Sequence, residues 1–286
     1  MLNDSSPYFG KCVVMTTKHA KSIAVAPGFH EILGAAVVEY PLDTDALGTF
    51  SGEVERQGSA LDCARRKCEW GLDLLNAKFG IASEGSFGPH PFIPFIPSGL
   101  EILHFIDRTR DFHLHVSRLC EKTNYRMQTI DSFERLQKFA EETQFPSHAL
   151  IVRPNLGKSG GVIFKGIDTP EELERSFQRS RTQSSDGLVW VETDMRAHVN
   201  PTRMSEISEL ARQLAHRLAT HCPACRAPGW GLVKAEKGLR CEYCDQPTEM
   251  IEHEVFGCVL CDHTERKQRP DGLEKAPQMH CGWCNP

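Results

Sequence analysis

The tail of the chain reads Cys222-Pro-Ala-Cys225, followed fifteen residues later by Cys241-Glu-Tyr-Cys244. Thirteen residues on comes Cys258-Val-Leu-Cys261, and nineteen further Cys281-Gly-Trp-Cys284. A two-residue gap lets both thiolates of a tight turn face one ion, and the longer gap lets a hairpin return with a second pair. All eight cysteines are therefore assigned to two structural Zn²⁺ ions, in closed four-sulfur sites that leave no open position for a substrate. Each half, 222–244 and 258–284, meets the spacing rule by itself. That favours sequential pairing of the knuckles over a cross-braced arrangement.

Outward from the tail, the other four cysteines (Cys12, Cys63, Cys68, Cys120) are scattered and read as small core residues. Residues 1–11 carry no basic start followed by an apolar run, so no secretory signal is expected. A reducing cytoplasm is then the expected location, where paired knuckles hold metal rather than disulfides. The apolar stretch 92–103 is broken by Pro94, Pro97 and Glu101, which argues against a membrane span. From His221 onward eight Lys/Arg face ten Asp/Glu, a formal −2. Eight thiolates on two Zn²⁺ add about −4. An acidic tail is poorly suited to neutralising phosphates, so a nucleic-acid partner is disfavoured and a protein partner preferred. The local patch of Arg266, Lys267 and Arg269 is the feature that speaks for nucleic acid.

Upstream, short β-branched runs alternate with amphipathic stripes. Lys11–Thr16 and Ala35–Glu39 read as buried strands, separated by a helix interrupted near Pro27 and Gly28. Leu61, Ala64, Cys68, Leu72 and Leu75 form one helical stripe, and Lys78–Ser83 is the next strand, running into a polar turn at Glu84-Gly85. Further strands are expected at 101–106, 112–116, 148–153, 161–165 and 187–192. Helices are expected over 131–142, capped by Asp131, over 169–179 from the Thr169-Pro170-Glu171-Glu172 capping box, and from Asn200-Pro201 onward. The fold class that follows is α/β, a mixed sheet flanked by helices, with a small C-terminal double zinc-ribbon domain. Its divisions are an α/β core at 1–200, a connecting amphipathic helix at 201–220 and the zinc-ribbon domain at 221–286.

Four polar clusters could carry chemistry. Lys18 and Lys21 follow the first strand. Glu53, Glu55 and Arg56 precede the helical stripe. Glu84 closes a strand, and Asp194, Arg196 and Arg203 flank a helix start suited to an anion. Lysines after one strand and acids after another would suit phosphates and a Mg²⁺ ion, which takes hard oxygen ligands. His90, between prolines near Glu84, is a further site candidate. The turn 154–161, with Arg153 and Lys158, resembles half of an ATP-grasp nucleotide site, although the cysteine tail begins where that fold's metal-binding half is expected.

Thr16-x-x-x-Ala20-Lys21, then Glu55-Arg56-x-Gly58-Ser59-Ala60-x-x-x-Ala64-Arg65, then Gly80-Ile81-Ala82-Ser83-Glu84-Gly85 are similar to three successive motifs of the inosine/xanthosine triphosphate pyrophosphatase superfamily. The resemblance implies an elongated two-lobed α/β protein, commonly dimeric. It also implies Mg²⁺-dependent hydrolysis of a nucleoside triphosphate to monophosphate and pyrophosphate. Carried over, Lys21 touches phosphate, Arg56 lies near it and Glu84 holds the metal, with Glu53 a second acid by position. Lys18 stands where that family has asparagine, and no Ser-His-Arg base-binding motif follows. Taken with the cysteine tail, the chain resembles a bacterial family of unknown function. Two readings result. One is a zinc-binding protein with a nucleotide phosphohydrolase core, in which Glu84, Glu53 and Lys21 are catalytic and Lys18, Arg56, Asp194, Arg196 and Arg203 bind substrate. The other is a non-catalytic zinc-ribbon adaptor for a protein or nucleic-acid partner.

Overall fold

The structure, a computed structural model, describes residues 6–43, 58–156 and 161–286. It is an α/β arrangement of three sheets, the first two flanked by helices. The first sheet contains β1 (Cys12–Thr16), β2 (Ala36–Tyr40), β3 (Phe79–Pro89), β4 (Pro97–Asp107) and β5 (Phe112–Cys120), in the order β2-β1-β3-β4-β5. β1 runs parallel to both its neighbours, while β3, β4 and β5 form an antiparallel meander. Covered on both faces, β1 buries four consecutive residues, Val13 to Thr16, which is why it reads as an unbroken apolar run. At the sheet's edge, β5 alternates buried Phe112 and Leu114 with exposed His113 and His115.

Helices α1 (Ser22–Leu33) and α5 (Pro201–Ala219) pack together on one face of this sheet. Their core joins Phe29, Leu33, Leu103, Phe105, Ile207, Leu210 and Leu214. Each such side chain contributes roughly 1.5–3 kcal/mol on full burial. α1 runs unbroken through Pro27, against the expected interruption. Burial of Val25, Phe29 and Leu33 outweighs the one hydrogen bond that proline removes. On the other face lies α2 (Ala60–Leu75), capped by Ser59, whose side chain accepts from Asp62 N at 3.1 Å. Its buried stripe is Cys63, Ala64, Lys67, Cys68, Gly71 and Leu72, so a lysine sits inside an otherwise apolar or small face. Gly71 lets α2 lie directly on the end of β1, since a Cβ there would come within 1.9 Å of Thr16 Oγ1.

The second sheet is wholly antiparallel, with β6 (Met127–Ile130), β7 (Leu150–Pro154), β8 (Phe164–Ile167) and β9 (Val189–Thr193) in the order β6-β9-β7-β8. α3 (Phe133–Glu142) and α4 (Pro170–Gln183) close its separate core of Leu136, Phe139, Val152, Phe177 and Val191. The α3 cap is Ser132 rather than the expected Asp131, whose carboxylate instead accepts from Arg135 Nη1 at 3.0 Å. Beyond α5, the third sheet is formed by β10 (Gly231–Lys237), β11 (Ile251–Gly257) and β12 (Thr264–Gln268), in that order and antiparallel. Among the described residues no helix is long and apolar enough to cross a membrane.

Candidate functional site

Two four-cysteine groups form the first candidate. Cys222, Cys225, Cys258 and Cys261 bring their sulfurs within 4.8 Å of one another, and so do Cys241, Cys244, Cys281 and Cys284. A tetrahedral site with Zn–S bonds of about 2.3 Å requires sulfurs about 3.8 Å apart. The observed Cys222–Cys261, Cys225–Cys258 and Cys244–Cys281 separations are 3.8, 3.5 and 3.6 Å. These are metal-site distances, far longer than the roughly 2.0 Å of a disulfide. Each group can therefore hold one zinc ion. Backbone N–H groups of Tyr243 and Leu260 point at the Cys241 and Cys258 sulfurs, at 3.4 and 3.3 Å, as a thiolate requires. Burial pushes the Cys222 thiol up, but N–H donors from Cys225 and Ala224 outweigh it and hold the thiol at about 6.

The pairing is cross-braced, which corrects the sequential expectation. β10 leaves the first knuckle and β11 returns beside it, with Gly231 opposite Gly257, so the third knuckle arrives at the first. β12 then runs back along β11, from Gly257 opposite Thr264 to His253 opposite Gln268, and delivers the fourth knuckle to the second. There Glu242 N donates to the Ala276 carbonyl at 3.0 Å and Ala276 N to that of Arg240 at 2.8 Å. Between the first and second knuckles the chain spends seven residues on β10. At about 3.4 Å per residue these span roughly 24 Å, beyond what one ion can bridge.

The second candidate is a buried charged cluster where β1 stops. The last β1–β3 pair is Thr16 with Ala82; beyond it β3 continues against β4 alone. Glu84 and Gly85 are thus inside a strand, opposite Ile102 and Glu101, and not in the expected turn. Strand alternation sends Glu84 toward α2, where Lys67 Nζ donates to Glu84 Oε2. On the opposite face Ser83 Oγ accepts from Lys21 Nζ at 2.8 Å, and Glu101 accepts from Arg203 through Nε at 2.5 Å and Nη2 at 3.3 Å. Arg203 also donates to the Met195 carbonyl, and its guanidinium lies 5.1 Å from the Phe87 ring centre. Gly85 makes room for it: a Cβ there would meet Arg203 Nη2 at 2.3 Å.

Lys21, Lys67, Glu84, Glu101 and Arg203 are all nearly inaccessible. Among the described residues, three cations meet two carboxylates here. Burial, reinforced by Arg203 and opposed by Glu84 and Glu101, brings Lys21 down to about 7. Two further features mark the loop from β1 to α1. Ala20, just before Lys21, has a left-handed φ of 50°, a costly conformation for alanine. Thr16 Oγ1 is buried without a hydrogen-bond partner among the described residues.

The structure thus brings together Lys21, Glu84 and Arg203 of the sequence candidates. Lys18 pairs with Asp43 at 2.9 Å. Asp194 accepts from Arg196 Nη2 at 2.6 Å and from Gly166 N at 3.0 Å, forming a separate pair against β8. Glu53 and Arg56 lie outside the described residues. His90 has a local task, its Nδ1 accepting from Phe92 N and Ile93 N to close the β3–β4 turn. The sequence reading missed Lys67 and Glu101. The available signal was a charge on an apolar stripe in the first case and a carboxylate opening an apolar strand in the second. The cluster does not fit a magnesium ion among the described residues, because Glu84 is held by an ammonium group and Glu101 by a guanidinium rather than being gathered with other oxygens.

Residues 67–286 match the family described as Domain of unknown function (DUF6671), a span that includes Lys67, Glu84, Glu101, Arg203 and all eight tail cysteines. No curated protein matches the chain.

Proposed function

The chain belongs to the DUF6671 family, a domain of unknown function, and from that premise we propose a zinc-bearing protein whose first sheet binds and hydrolyses a nucleotide polyphosphate. The observation that carries this reading is the gathering, among the described residues, of buried Lys21, Lys67 and Arg203 around Glu84 at the carboxyl end of parallel β1, where α/β sheets place ligands. A phosphate group between Lys21 and Lys67 would be held by both ammonium groups and return the proton that burial takes from Lys21. It would also compete with Glu84 for Lys67, freeing that carboxylate to accept a proton from water attacking phosphorus. Monophosphate and pyrophosphate would be the products, as the resemblance around Lys21 and Glu84 implies. The two zinc ions would be structural, fixing the ends of the β10–β11–β12 sheet.

The test is release of pyrophosphate and phosphate from a panel of standard and deaminated nucleoside triphosphates, with and without Mg²⁺. Glu84→Gln and Lys21→Met are run alongside, with zinc content as the check on folding. Release that both variants lose supports the reading. No release from any nucleotide leaves the adaptor reading, which the Lys67–Glu84 ion pair favours, because a satisfied buried pair can be purely structural.

A further inference from the structure

A groove of about 620 Å³ lies between the first and third sheets, away from the charged cluster. Its lining includes five consecutive residues of β5, 113–117, and four consecutive residues of β10, 232–235, over a floor of Gln213, Arg217 and Val259. Successive strand residues point to opposite faces. β5 is regular through 113–117, and β10 carries a bulge between Leu232 and Lys234 that turns its side chains at the edge, so a groove touching all of these residues runs along the strand edges rather than over a face. Among the described residues both strands are terminal in their sheets, β5 bonded to β4 alone and β10 to β11 alone. Two open backbone edges therefore border one groove, an arrangement that soluble proteins ordinarily cover or blunt.

Among the described residues the lining carries Arg217, Lys234, His113 and His115 and no carboxylate. Lys234 reaches Glu236 at 2.8 Å, but that acid is shared with Arg266 at 2.9 Å, so the local balance remains positive. Leu232 and Val233 are about half exposed beside these cations. Cations interleaved with apolar side chains along a strand edge match a strand that alternates acids with β-branched residues.

We propose that this groove is a strand-addition site for an acidic, extended segment of a protein partner. The segment pairs with an open edge through its backbone, places its carboxylates against Arg217 and Lys234, and seats its apolar side chains on Leu232, Val233 and Val259.

The probe is a labelled nine-residue peptide alternating glutamate with valine, titrated into the full chain by fluorescence anisotropy. Saturable binding is expected, together with slowed amide exchange at 113–117 or 232–235. Lys234→Glu, an exposed substitution, should weaken binding at least about tenfold. The same peptide N-methylated at alternate residues, or with lysine in place of glutamate, should not bind. Absence of saturable binding overturns the proposal, as does binding that survives both N-methylation and Lys234→Glu. Concentration-dependent dimerisation abolished by Lys234→Glu, without peptide binding, also overturns it and assigns the groove to a second copy.

Discussion

Cross-bracing of the cysteine knuckles makes a stoichiometric prediction that separates the two pairings cleanly. Serine at Cys222, Cys225, Cys258 and Cys261 removes every ligand of one group and none of the other, so the variant should keep one zinc ion per chain. Serine at Cys222, Cys225, Cys241 and Cys244 changes the same number of residues but leaves each group with two sulfurs. An isolated four-ligand site binds zinc with an apparent free energy of about 10–16 kcal/mol. The two thiolates left in each group belong to one knuckle, Cys258 with Cys261 and Cys281 with Cys284, and two ligands cannot close a tetrahedron, so the second variant should keep essentially none. Metal analysis of purified protein, with native mass spectrometry for the occupancy distribution, reads the difference directly. Sequential pairing predicts the reverse, none in the first variant and one in the second, and that result would refute the argument from strand length and register. Amide exchange adds a positional check. In the first variant protection should be lost near Gly231 and Gly257 and retained near Lys237 and Ile251, at the other end of the hairpin.

Other perturbations test the charged cluster and its surroundings. Glu101→Gln takes the carboxylate from the buried Arg203 guanidinium and should cost about 3–5 kcal/mol, lowering Tm by at least about 6 °C, whereas joint replacement of Glu101 and Arg203 by methionine should recover much of that loss. Gly85→Ala drives a methyl group into Arg203 and should cost about 1–3 kcal/mol by urea unfolding; a neutral result would mean that the close approach is absent. Lys21, lowered to about 7 by burial and Arg203, is deprotonated in the native chain between there and its unfolded value of roughly 10.4. The unfolded chain binds the extra proton in that window, so native stability should rise with pH relative to Lys21→Met, and parallel urea midpoints at pH 7 and 9.5 would contradict the assignment. Burial, with His113 and His115, pushes His104 down to about 4. Between roughly pH 6.5 and 4 the unfolded state takes the proton first, so acid should destabilise the wild type more steeply than His104→Leu.

Much of the architecture was legible because local chemistry enforces it. Val13, Val14 and Met15 form a run that only a strand buried on both faces accommodates. The Asn200-Pro201 start of α5 works as written, with Asn200 Oδ1 accepting from Arg203 N at 3.0 Å. Pro27 misled because its penalty is local while the burial that overrides it comes from α5, nearly two hundred residues away in sequence. Glu84 misled in the opposite sense. Acid followed by glycine has the composition of a turn, yet an antiparallel neighbour, β4, keeps it in a strand where the parallel neighbour ends.

The cysteine tail separates the two kinds of information most clearly. Spacing within a knuckle is set by a turn of a few residues, so the sequence alone determined that eight sulfurs come in four pairs able to grip two ions. Which pairs share an ion depends on whether the fifteen residues after Cys225 fold back or run straight. They run straight as β10, and the register of β10 with β11 and of β11 with β12 decides the pairing. The charged cluster follows the same rule: Lys21, Lys67, Glu84, Glu101 and Arg203 come from five elements or their edges, and no local pattern could have gathered them. Their meeting is a consequence of where β1 stops, a boundary fixed by sheet pairing and by the helices on its two faces.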